Sequence, residues 1–167
     1  WLHLGGLEVP PVPDTPSRGE IAAASRLLVE ELMGDFPFDG QPGRANALAA
    51  LLLPFVRGLI DGPTPLHLLD APTEGTGKTL LATAIALVPT GRDPEAVAEA
   101  RDDDEWRKRL TAVLLEAPAL VLLDNLSLPL DSGALASALT CRLWKDRILG
   151  FSRTASLPVR CAWLATG

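Results

Sequence analysis

The chain has 167 residues, 47% of them hydrophobic, which is ample for one domain with its own core. Its formal net charge of −6 argues against a generally basic nucleic-acid coat. Apolar stretches are broken at Pro54, Arg57, Asp70 or Pro118 before reaching the roughly 18 residues of a membrane-spanning helix, so no membrane partner is expected.

Taken in chain order, residues 1–6 lack an initiating Met, a basic run and a cleavage site, and are expected to be a cut inside a longer chain. Pro10, Pro11, Pro13 and Pro16 make residues 1–17 an extended linker from an upstream region. Ser17 and Glu20 have capping-box spacing, and Ile21, Ala24, Leu28 and Leu32 follow at helical intervals, which predicts a helix over about 18–33 stopped by Gly34. Pro37 to Gly43 is a turn-rich break before a second helix over 44–60, with a kink expected at Pro54. Leu66 to Asp70 then reads as a strand, 71–78 as a loop and Thr79 to Val88 as a helix. His67 in this strand is expected to be a satisfied core or edge histidine rather than a ligand.

Asp102, Asp103 and Asp104 precede a helix carrying Trp106, Leu110, Val113 and Leu114, and suit the positive end of its dipole better than a metal. Pro118 ends that helix. Ala119 to Asp124 is apolar without alternation, as for a parallel strand covered on both faces. A helix over 132–141, a basic stretch and a last strand over about 159–165 complete the chain. Alternating strands and helices imply an α/β fold with a parallel sheet. Cys141 and Cys161 stand outside any metal-ligand or redox spacing and read as reduced cytosolic thiols.

A phosphate-binding loop needs backbone N–H groups that converge on oxygens, a lysine for the β and γ phosphates and a hydroxyl for magnesium. Pro72 to Thr79 supplies these. Glu74, Gly75, Thr76 and Gly77 form the cradle, Lys78 the charge and Thr79 the metal-binding hydroxyl, while Pro72 replaces the first glycine of the usual pattern. The alternative is a glycine-rich turn without a ligand. Asp124, ending an apolar strand, is expected to hold the metal with Thr79, so ATP and Mg2+ are the expected cofactors. Asn125 beside it can orient a water but cannot take its proton, which makes hydrolysis less certain than binding.

The residues from Gly75 to Thr79, from Leu120 to Asn125 and from Pro158 to Gly167 together resemble the AAA+ ATPases, over roughly residues 45–167. The resemblance implies a P-loop NTPase three-layer sandwich, with residues 18–60 as two preceding helices and 61–167 as an ATPase core truncated at its C-terminal part. The last strand would be the sensor strand, its polar residue expected just past Gly167, with the helical lid absent. Asp124 and Asn125, 132–140, 144–150 and 157–160 are also similar to ATPase modules of primase-helicase and DNA-processing proteins of phages and integrated elements.

That likeness implies a bacterial or phage-encoded cytoplasmic protein, a homo-oligomeric ring and a basic hairpin facing DNA. Arg142, Lys145, Arg147, Arg153 and Arg160 against Asp146 alone agree with the hairpin, a solvated basic loop being the alternative. Arg147 is a candidate arginine finger for a neighbour's ATP; a salt bridge near Asp146 or to Asp131 is the other reading. The expected function is an ATP-binding, ATP-hydrolysing module of a DNA-processing protein such as a helicase or loader. A nucleotide-dependent switch with little turnover, or a small-molecule P-loop kinase, are the alternatives.

Overall fold

The computed structural model describes residues 11–73, 75–148 and 153–167. Glu74, most of the expected linker and the centre of the basic stretch lie outside the described residues. The chain divides into two compact units, one ending at Asp35 and the other running from Phe36 to Gly167.

In the first unit, α1 (Arg18–Arg26) opens on the expected capping box. Ser17 Oγ accepts the Glu20 N–H at 3.2 Å, and the Ser17 N–H donates to Glu20 Oε2 at 2.7 Å. The helix continues as a π-helical turn, Leu27–Leu32. Gly34 follows its end at a place only glycine fits: a Cβ there would collide with the Glu30 carbonyl.

The second unit begins with α2 (Gly40–Val56), followed by a 3-10 turn at Arg57–Leu59. This helix starts four residues before Arg44. Pro42 lies in its first turn, where the backbone N–H has no intrahelical partner to lose, so the proline is not the break it resembles. Because α2 packs on α3, β1 and β6, the compact unit opens at Phe36 rather than after Ile60.

The remaining elements are β1 (Leu66–Leu69), α3 (Lys78–Thr90), β2 (Glu95–Ala98), α4 (Asp103–Leu115), β3 (Leu120–Asp124), α5 (Gly133–Thr140), β4 (Leu143–Arg147), β5 (Thr154–Pro158) and β6 (Ala162–Thr166). Four strands form a parallel sheet in the order β1-β6-β3-β2. Strands β4 and β5 form a separate antiparallel pair, so the basic stretch is a hairpin among the described residues.

Alternation along the central strands assigns the two faces. Val121, Leu123, Trp163 and Ala165 share one buried core with Trp106, Leu110 and Leu114 of α4 and with Leu135 of α5. Their neighbours Leu120, Leu122, Ala162 and Leu164 are equally buried but stand outside that cluster, and α2 and α3 pack against β6. Helices therefore flank the sheet on both faces, as the uninterrupted apolar strands require. Among the described residues no helix is long and apolar enough to cross a membrane.

Candidate nucleotide site

The parallel sheet brings four strand ends to one edge. Leu69 pairs with Thr166, Leu123 with Ala165, and Ala98 with Asp124, so β1, β6, β3 and β2 finish side by side. The carboxyl edge of such a sheet is where open α/β folds hold ligands.

The loop between β1 and α3 begins with Asp70, whose Oδ1 accepts the Ala71 N–H at 2.8 Å. Thr76 Oγ1 donates back to the Thr73 carbonyl at 3.3 Å and tightens the turn. Gly75 and Gly77 have φ of +74° and +84°, left-handed values that favour glycine. A Cβ on Gly75 would meet nothing within 4 Å, so backbone conformation rather than space calls for glycine. Lys78 is the first residue of α3, where the orphan N–H groups and the helix dipole attract an anion.

Thr79 Oγ1 lies 3.3 Å from Asp124 Oδ1, so hydroxyl and carboxylate converge as a magnesium site requires. Residues of this chemistry fit Mg2+, which is commonly bound by one or two protein oxygens, phosphates and water. Thr166 Oγ1 donates to the same Oδ1 at 2.7 Å and accepts the Asn125 N–H at 2.8 Å. Asp124 Oδ2 is left without a donor among the described residues.

Asn125 has φ +57°, a conformation asparagine tolerates better than most residues. The turn after it is held from two sides. The Leu126 N–H donates to the Thr166 carbonyl at 2.8 Å, while Glu99 accepts from the Ser127 hydroxyl at 2.7 Å and the Leu128 N–H at 2.9 Å. The Ser127 hydroxyl and then the Leu128 N–H hold the Glu99 carboxyl below its ordinary value. Arg109 of α4 in turn clasps the Ala98 and Glu99 carbonyls at 2.9 and 3.0 Å.

Thr166 and Glu99 were missing from the sequence expectations. Thr166 is fully buried at the end of β6. Its signal was a lone hydroxyl closing an apolar strand, as Asp124 closes β3. Glu99 gave none, because β2 itself was not anticipated.

A cavity of about 180 Å³ opens beside the loop, lined by Phe36, Phe38, Asn46, Gly77 and Lys78 among others. Phe36 and Phe38 stand 6.4 Å apart between ring centroids. Asn46 Oδ1 accepts from His67 Nδ1 at 2.9 Å, and burial pushes the His67 pKa down, so His67 is a hydrogen-bonded strand histidine as expected.

The acidic cluster behaves as a helix start. Asp102 accepts the Glu105 N–H at 2.8 Å, and Asp103 accepts from the Ser132 hydroxyl and the Ala134 N–H at 2.7 and 2.9 Å, joining the starts of α4 and α5. Among the described residues no group of three or more His, Cys, Asp and Glu could hold a metal. Both cysteines are free, and burial pushes the Cys161 thiol up to about 12.

Arg147 is not part of the Thr79, Asp124 and Thr166 cluster; it lines a separate cavity with Asp104, Lys108 and Ile148. The salt bridge suggested for it is not formed among the described residues. Asp146 pairs with Arg107 at 3.4 Å instead, and Arg147 contributes only its backbone N–H to that carboxylate, at 2.8 Å. No family model matches the chain, and no curated protein matches it either.

Proposed function

We propose that this chain is an ATP-binding P-loop NTPase module of AAA+ type, working in a DNA-processing assembly. The observation that carries the reading is the junction at the carboxyl edge of the sheet. Left-handed Gly75 and Gly77 lead into Lys78 at the start of α3, and the Thr79 hydroxyl stands 3.3 Å from Asp124. Lys78 and the first N–H groups of α3 bind the β and γ phosphates. Thr79 and Asp124 hold Mg2+, which when bound neutralises phosphate charge. The cavity between Phe36, Phe38 and Asn46 takes the base.

The AAA+ form of the fold is supported by the strand order. Strand β6 lies between the loop strand β1 and the acidic strand β3, so a residue ending β6 stands between the phosphate loop and Asp124. A γ-phosphate sensor has to stand there, and Thr166 is the candidate. The hydrolytic water would be oriented by Asn125 without a base beside it, so turnover depends on positioning and on an arginine such as Arg147 supplied to a neighbouring subunit of a ring.

The hairpin supports the DNA side. Lys145 and Arg147 are exposed and share one face of β4, while Trp144 and Asp146 turn the other way onto α4. Lys145→Ala with Arg153→Ala is expected to weaken DNA binding and flatten its salt dependence. DNA binding unchanged at several salt concentrations would remove DNA from the proposal.

A second reading, a nucleotide switch with little turnover, is favoured by Asn125, which is fixed in the left-handed region by Thr166 where a carboxylate base would otherwise be sought. ATP turnover measured with and without DNA separates the two. DNA-stimulated phosphate release supports the motor, binding without release supports the switch, and phosphate transfer to a metabolite would instead identify a kinase.

A further inference from the structure

The opposite, amino-terminal edge of the sheet holds a second concentration of positive charge. Arg57, at the end of α2, is only 7% exposed. Its Nη1 donates to the Ile60 carbonyl at 3.0 Å, and its Nη2 to the carbonyls of Gly62 and Val159 at 2.8 and 3.0 Å. Nε is buried with no partner. Among the described residues no carboxylate meets this guanidinium, so a full charge is buried against carbonyl dipoles alone.

A cavity of about 410 Å³ opens beside it, lined by Arg57, Asp61, Arg142 and Arg160 among others. Arg142 Nη1 reaches Asp61 Oδ1 at 2.8 Å, an exposed pair of the kind that contributes little and is readily exchanged. Arg160 has no ion pair among the described residues. Three guanidiniums therefore face one surface carboxylate.

We propose that this cavity binds a phosphate group between Arg142 and Arg160, with the Asp61 carboxylate as an exchangeable placeholder. Guanidinium forks match phosphate oxygens in pairs, and a phosphate brings more charge than the carboxylate it displaces. The nucleic-acid backbone is the favoured source. Arg142 directly precedes β4 and Arg160 closely follows β5, so the cavity lies at the root of the hairpin that presents Lys145 and Arg147. A free polyphosphate offers the same chemistry. Only the choice of occupant rests on the DNA reading above; the site is independent of ATP.

The test uses the full chain carrying Lys78→Ala, which silences the phosphate loop, titrated with a labelled single-stranded oligonucleotide and with inorganic pyrophosphate. Arg57 is left unchanged because it ties the end of α2 to Val159. Arg160→Gln is expected to weaken the bound ligand about tenfold, and Asp61→Asn to tighten it severalfold. Arg92→Gln, the same charge change at another exposed position, is expected to have little effect. An effect on the oligonucleotide alone assigns the backbone as source, and an effect on pyrophosphate assigns a free polyphosphate. The proposal is overturned if neither ligand binds, if Arg160→Gln and Asp61→Asn bind like the parent, or if Arg92→Gln loses as much as Arg160→Gln. None of these results depends on whether ATP binds at Lys78.

Discussion

Thr166 ties two neighbouring residues together through one hydroxyl, donating to Asp124 Oδ1 and accepting the Asn125 N–H. Thr166→Val keeps the shape and removes both bonds. It is expected to lower folding stability by about 1–2 kcal/mol in a urea titration, and to reduce ATP turnover more than ATP affinity, because Asp124 and Asn125 lose their mutual register. Equal losses in both would reduce Thr166 to a packing residue. Asn125 is constrained differently. At φ +57° a glutamate costs about 1 kcal/mol more than asparagine, so Asn125→Glu is expected to destabilise the chain without raising turnover, while Asn125→Gly keeps its urea midpoint. A fast, fully stable Asn125→Glu enzyme would contradict this reading of the turn. The glycines, Lys78 and Thr79 could be proposed from one contiguous run, and Asp124 from its place at the end of an unbroken apolar strand. Thr166 and Glu99 could not, since their partners lie 41 and 28 residues away and only strand pairing brings them together.

The hairpin is fastened to α4 by a polar chain under an aromatic ring. Trp144 Nε1 donates to Thr111 Oγ1 at 2.9 Å, Thr111 donates to Asp146 Oδ2 at 3.1 Å, and Arg107 covers the Trp144 ring at 6.0 Å. Burial pushes the Asp146 carboxyl up, but hydrogen bonds from the Arg147 N–H, Arg107 and Thr111 outweigh it and leave the pKa below the ordinary 3.8. A carboxyl depressed in the folded state stabilises above its unfolded value and loses that contribution as pH falls through the folded one. Asp146→Asn is therefore expected to lower the melting temperature at neutral pH and to flatten its decline below about pH 4. A variant whose melting temperature tracks the parent throughout would show that Asp146 does not fasten the hairpin. Elements with a strong apolar signature, such as the helical repeat of α4 and the unbroken apolar run of β3, could be read within a few residues. Strand β2 could not, because an edge strand with Val97 as its one buried side chain carries almost no pattern. The start of α2 was hidden by Pro42, and the hairpin was expected only through the resemblance, because Trp144 alone is buried in β4 and Ala155 alone in β5.

At the scale of the sheet, the two proposed phosphate sites are separate. The glycine loop and Asp124 occupy its carboxyl edge, and the Arg57 cavity lies at its amino edge, so the two anion sites proposed for this chain of net charge −6 are at opposite ends of the strands. An α/β fold with a parallel sheet was readable from alternating strands and helices. The order β1-β6-β3-β2 was not, because the last strand of the chain inserts beside the first, and no local pattern records a neighbour almost a hundred residues away. That insertion brings Thr166 to Asp124 and turns separate sequence signals into one candidate site. The central proposal is that this site binds ATP with magnesium. The direct measurement is a calorimetric ATP titration of the parent and of Lys78→Ala, each with and without Mg2+. Affinity that rises with Mg2+ in the parent and falls by about a hundredfold in Lys78→Ala is the expected result; identical curves for the two proteins would contradict the account.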